Sequence, residues 1–236
     1  MERRTPIFIV ASPRPRVGKT LLARLLAEFY RADGRTIAAF DVNPDAFALV
    51  DYLPAFTAVA TINDTRGQMA LFDDLVVADD VPKIVDVSAN LFDRFFGVMN
   101  DIDFGNEAQY RFMAPVILFI GDGDRRSRQA YAMLQDRFPD LELVPVINEA
   151  VPHPMRYREY FPPSRAGGPA LTIPLLAAVI KGVIERPGFS FASYMANATD
   201  QTTELYGWIH RIFLDFRELE LRLLLAELSP QLKFSA

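Results

Sequence analysis

The chain has 236 residues, half of them hydrophobic, and a net charge of −5. That is ample for one large core, and it argues against nucleic-acid binding driven by overall charge. With no cysteine and only His153 and His210, disulfides, thiolate metal centres and histidine-rich metal sites are excluded.

In chain order, the apolar, β-branched run over 7–12 (IFIVAS) predicts a strand buried on both faces. Together with Arg3 and Arg4 it is too short for a secretory leader. No apolar run approaches the roughly 18 residues that span a bilayer, so a cytoplasmic protein without membrane insertion is expected. Leu21, Leu22, Leu25, Leu26 and Phe29 recur at helical spacing, which predicts a helix over 18–32 with Gly34 as its stop. Strands follow over 35–42, 83–87, 114–121, 141–148 and 170–174, and helices over 68–79, 91–99 and 125–138. Pro145 makes the strand over 141–148 read as an edge strand or one with a bulge. Residues 149–168, rich in proline and charge, read as a long loop or lid.

Strands alternating with helices predict an α/β fold: a mainly parallel central sheet with helices on both faces, Rossmann-like, carrying a helical C-terminal extension. Residues 1–187 form the α/β domain in this reading. Residues 188–236 form the extension, dominated by a helix from about 203 to 228. Its stripe of Leu205, Ile209, Ile212, Phe216, Leu219 and Leu223 suits packing on the domain. A dimer contact or a membrane-surface helix are the other readings, the last opposed by Asp215, Glu218, Glu220 and Glu227.

Ser12, Asp41, Asp86, Gly121 and Asn148 all fall at the carboxyl ends of predicted strands. Ligands of open α/β sheets bind beyond the carboxyl ends of the strands, so these residues mark one edge as the candidate site. Between the first strand and helix lies Pro13-Arg14-Pro15-Arg16-Val17-Gly18-Lys19-Thr20. Its end matches the phosphate loop G-x-x-x-x-G-K-[ST], in which backbone amides cradle phosphates, the lysine meets the β/γ oxygens and the hydroxyl binds Mg²⁺. Pro13 stands where the first glycine belongs. The competing reading is a Lys-Thr helix start after a proline-rich turn. Asp41 and Asp86 at the ends of the next strands suit a hard cation held by oxygen ligands near Thr20.

In these motifs and their order the chain resembles the ParA/MinD-like ATPases, the deviant Walker A group of P-loop proteins. FDVNP (40–44) resembles that family's D-x-D-P, DVSAN (86–90) its D-x-P-A-G, PVINEA (145–150) the strand whose asparagine reads adenine, and LTIPLL (171–176) the short strand ending in Ile-Pro. The resemblance covers about residues 5 to 185. It implies Mg²⁺ held by Thr20, Asp41 and Asp86, and ATP held by Arg16, Val17, Gly18, Lys19, Thr20, Leu21, Asn148 and Pro174. Catalysis would fall to Lys19, Asp41, Asn43 and Arg14, with Arg14 reaching across a nucleotide-dependent homodimer.

The departures fall at the chemistry. Pro13 and Pro15 each remove an amide donor, offset in part by the guanidinium groups of Arg14 and Arg16. Asn43 replaces a water-orienting aspartate and cannot act as a carboxylate base. Binding is expected to survive better than hydrolysis. The expected function is a slow or partner-dependent ATPase that positions or partitions a cargo. The alternatives are a non-hydrolysing scaffold and an ATP-dependent small-molecule synthetase resembling dethiobiotin synthetase. Arg125, Arg126 and Arg128 offer either a weak DNA contact or a solvated face paired with Asp122, Asp124 and Asp136. HPMRYREYFPP (153–163) reads as a packed loop or a lid, and LFDRFFGVM (91–99) as core or a partner surface.

Overall fold

The computed structural model describes residues 4–42, 48–155, 157–162 and 168–232. Its centre is a seven-stranded sheet in the order β3-β2-β4-β1-β5-β6-β7. The strands are β1 (Thr5–Ala11), β2 (Ala38–Val42), β3 (Thr57–Ala60), β4 (Lys83–Val87), β5 (Met113–Ile120), β6 (Glu142–Asn148) and β7 (Leu171–Ile173). Every pairing is parallel. The fold is therefore α/β and Rossmann-like, as the alternation predicts.

Helices α1 (Lys19–Ala32), α2 (Leu49–Tyr52), α3 (Thr65–Leu75), α4 (Phe92–Asp101), α5 (Phe104–Tyr110), α6 (Arg125–Arg137) and α7 (Tyr157–Tyr160) connect the strands. After β7 come α8 (Ala178–Ile184), α9 (Phe191–Asn197) and α10 (Glu204–Leu232). Among these described residues no helix is long and apolar enough to cross a membrane.

The pleat of β1 shows why both faces must be covered. Phe8 and Val10 enter one core, with α1, α9 and α10, while Ile7, Ile9 and Ala11 enter the other, with α3, α4, α5 and α6. All five are fully buried, as a strand with helices on both faces requires. Phe92, Phe95, Phe96 and Met99 of α4 belong to the second core, so the phenylalanine-rich segment is core.

Strand β6 is neither an edge strand nor in need of a bulge, but at Pro145 it is unpaired on one side. Strand β6 pairs with β5 through Phe119 and Pro145, whereas β7 pairs only with Val146 to Asn148. Pro145 therefore lies where one side of β6 has no strand beside it, and the missing N–H is tolerated there. The segment after β6 contributes Tyr157 and Phe161 to the core, and the Tyr157 hydroxyl donates to the Val146 carbonyl at 2.8 Å. That part is a packed loop.

The stripe on α10 packs against the α1 face: Leu205, Ile209, Ile212, Phe216 and Leu219 are buried there, with Leu223 partly so. A polar clasp adds to this packing. Arg24 of α1 donates to the carbonyls of Ile184 (2.6 Å) and Phe189, and its guanidinium lies over the rings of Tyr52 and Phe191. Glu28, one turn on, accepts from Ser190 Oγ at 2.6 Å and from the Ala192 amide at 3.0 Å. Arg24 and Glu28 are both buried, so each charge depends on the other and on these bonds. Arg24→Met should keep the stem's volume yet cost about 3–5 kcal/mol, because it leaves the carboxylate of Glu28 buried with less compensation. Urea denaturation measures this. A loss below about 1 kcal/mol would mean that apolar packing alone holds the extension.

Candidate functional site

The sheet order creates the site. After β1 the chain passes to one side, returns to lay β4 against β1, then crosses to β5 on the other side. The ends of β4, β1 and β5 thus flank a switch point, where parallel α/β sheets hold ligands.

The loop from Ser12 to Gly18 fills this point. Gly18 caps α1 at φ 98°, in the left-handed region, without a side-chain cap, and no acidic residue occupies the helix's first turn. The first amides of α1 therefore lack a side-chain acceptor of their own helix, the condition that favours an anion at a helix N-terminus. Arg16 has φ 59°, a left-handed conformation that is uncommon outside glycine. Lys19 arcs back over the loop, its Nζ donating to the Arg14 carbonyl at 3.0 Å. Its side chain is buried, which lowers its pKa, while the charge of Asp86 works in the opposite direction.

Asp41 and Asp86 lie opposite each other in the register of β2 and β4. Both are buried. The Thr20 hydroxyl donates to Asp86 Oδ2 at 2.6 Å, and the Val50 amide donates to Asp41 Oδ2 at 3.1 Å. Burial pushes the Asp86 carboxyl up to about 6; the Thr20 hydrogen bond pulls it down, the charge of Asp41 raises it further, and Lys19 lowers it. A hydroxyl beside two buried carboxylates is a hard-oxygen donor set that suits Mg²⁺ with phosphate oxygens and water completing the shell. Among the described residues no group of three or more His, Asp or Glu side chains is placed to hold a metal, so a cation here would draw on its ligand for the rest.

Arg14 is held by its own chain. Its Nε donates to Asp122 Oδ2 at 3.2 Å, and its guanidinium lies 3.6 Å from Asp124. Asp122 also accepts from Ser127 Oγ at 2.5 Å and from the Asp124 amide at 3.1 Å. Sequence reasoning placed Asp122 on a solvated face; its position directly after β5 and Gly121 was the available signal.

Asn148 closes the loop from below. Its Nδ2 donates to the Val17 carbonyl at 2.9 Å, and its Oδ1 accepts from the Ala150 amide at 3.1 Å. The Pro174 carbonyl accepts from Trp208 Nε1 at 2.8 Å. Leu21 is half-buried beside Thr20. Asn43 lies outside the described residues. Of the three arginines at the start of α6, Arg126 lies 3.5 Å from Asp93 and Arg128 lies over the Tyr160 ring, while Arg125 is exposed. Arg125 and Arg126 thus lie on an exposed face, as the solvated-face reading expects, with Asp93 as the acid beside Arg126.

The structure thus brings together Arg14, Val17, Gly18, Lys19, Thr20, Asp41, Asp86 and Asn148 at one edge of a Rossmann-like parallel α/β sheet. No protein-family model matches the chain, and no curated protein matches it.

Proposed function

We propose that the chain binds a nucleoside triphosphate with Mg²⁺, ATP by its resemblance to the ParA/MinD-like ATPases. It acts as a cytoplasmic nucleotide switch that dimerises to position or partition a cargo. The observation that carries this reading is the 2.6 Å bond from Thr20 to Asp86, with Asp41 opposite in the strand register. A helix-start hydroxyl held on one of two buried carboxylates is the donor set a phosphate-bound Mg²⁺ needs. The cation, when bound, would neutralise the Asp41–Asp86 pair and polarise the phosphates. Lys19 and the first amides of α1 orient the phosphates, and Gly18 lets the backbone approach them.

Slow or partner-dependent turnover fits the two prolines of the loop, which offer no amide donors. The ion pairs of Arg14 with Asp122 and Asp124 favour a second reading, a scaffold that binds nucleotide without hydrolysing it. Reaching a partner's phosphates would require Arg14 to leave both acids.

Calorimetric titration with Mg²⁺ and a non-hydrolysable ATP analogue, with GTP for comparison, tests the reading. Micromolar binding is expected. No heat up to millimolar ligand would overturn it. Phosphate release that is lost in Asp41→Ala would then exclude the scaffold.

A further inference from the structure

Asn148 is the residue that the family resemblance would assign to adenine, yet its bonds lead elsewhere. The side chain is almost completely buried, 6% exposed. Its Nδ2 reaches the Val17 carbonyl, and its Oδ1 takes the Ala150 amide. One amide hydrogen and one oxygen lone pair are thereby committed to the protein's own backbone. The contact with the loop is also close on its other side. A Cβ at Gly18 would lie 2.5 Å from Asn148 Nδ2, nearer than any side chain tolerates. Gly18 stands at φ 98°, and the next residue is Lys19. The end of β6 and the last turn of the phosphate loop are thus fitted to each other, one by its amide and the other by its lack of a side chain.

We infer that Asn148 is a positioning residue of the phosphate loop. This rests on the nucleotide reading of the same site. The carbonyl of Val17 precedes Gly18, so the bond from Asn148 fixes the peptide plane that aims the Gly18 N–H. Without it that plane is free to turn, and the amides that would meet phosphate oxygens lose their alignment. The binding lost on removing Asn148 belongs to the phosphates, the part common to all nucleoside triphosphates. A base-reading asparagine would leave a different signature, because removing it would erase discrimination between bases and spare a ligand that has no base.

The test compares the parent, Asn148→Ala and the milder Asn148→Ser by calorimetry with three Mg²⁺ complexes: a non-hydrolysable ATP analogue, its GTP counterpart and inorganic tripolyphosphate. Hydrogen exchange of the loop amides, without ligand, accompanies it. Both variants should weaken all three ligands by a common factor of roughly 10 to 100. The ATP-to-GTP ratio of the parent should persist, and the loop amides should exchange faster. Serine should lose less than alanine, since its hydroxyl retains a donor.

Loss confined to the ATP analogue, with tripolyphosphate unchanged, would overturn the inference and return Asn148 to the base. Unchanged affinity for all three would overturn it as well. A parent that binds none of the three would overturn the nucleotide reading itself, and the loop-positioning role with it. Faster loop exchange in that case would identify the bond to Val17 as purely structural.

Discussion

Lys19→Ala is expected to lose MgATP binding by roughly 100- to 1,000-fold, and with it any nucleotide-dependent dimer. The lysine brings the one ammonium group placed inside the loop. Asp86, whose charge acts on it, and Asp41, opposite Asp86 in the strand register, are buried and acidic, and triphosphate would bring more negative charge. Removing the cation leaves that charge uncompensated in a buried setting, and the expected loss of affinity corresponds to about 3–4 kcal/mol. The bond from Nζ to the Arg14 carbonyl also spans the loop, so the variant loosens the cradle in addition to removing its charge. Calorimetry reads the affinity, and sedimentation with and without MgATP reads the dimer. Identical sedimentation of Lys19→Ala and parent with MgATP would refute the switch.

Asp86→Asn should do the opposite to stability and the same to function. The carboxyl of Asp86 rises from its ordinary 3.8 to about 6 in the folded protein. Between those values the native state holds a proton that the unfolded chain has released. Stability contributed by the protonated group is therefore complete below about pH 4 and is lost as pH rises through about 6. A shift of about two units amounts to about 3 kcal/mol of penalty at pH 8. Asparagine removes the buried charge and keeps an oxygen for the Thr20 hydroxyl. With EDTA present at pH 8, Asp86→Asn should melt about 5–10 °C above the parent, and near pH 3.5 the two should coincide. The same variant should fail to take up Mg²⁺ with nucleotide. A variant that melts below the parent at pH 8 would mean that attraction between Asp86 and Lys19 outweighs the desolvation of Asp86.

The site was legible in part for a clear reason. Lys19 and Thr20 are adjacent in sequence and follow a buried strand, so their placement at a helix start is local. Asp41 and Asp86 each end an apolar run, which sets them at the carboxyl edge. Their mutual contact is not local. It exists because β4 inserts between β2 and β1, and no pattern within either strand encodes that order. The tether of Arg14 to Asp122 and the bond of Asn148 to Val17 span 108 and 131 residues. Such pairings leave no periodic trace.

The same distinction runs through the fold. Alternating strands and amphipathic helices were readable from composition and spacing, since burying an apolar run on a regular backbone imposes a period on the residues. The α/β class followed from that alone; the stripe of α10 was readable too, but only the tertiary structure decided that it packs on the α1 face. Strand β3 and helices α2, α5, α7, α8 and α9 went unread, being only 4 to 7 residues long, too short for a period to stand out. Arg24 and Glu28 look like ordinary charges on α1. Burial made them a clasp when the segment around Ile184, Phe189 and Ser190 closed over them. The local elements rest on preferences that neighbouring residues carry. The strand order, the loop's tethers and the clasp arise from desolvation and hydrogen bonding between distant segments, and these exist only once the chain has folded.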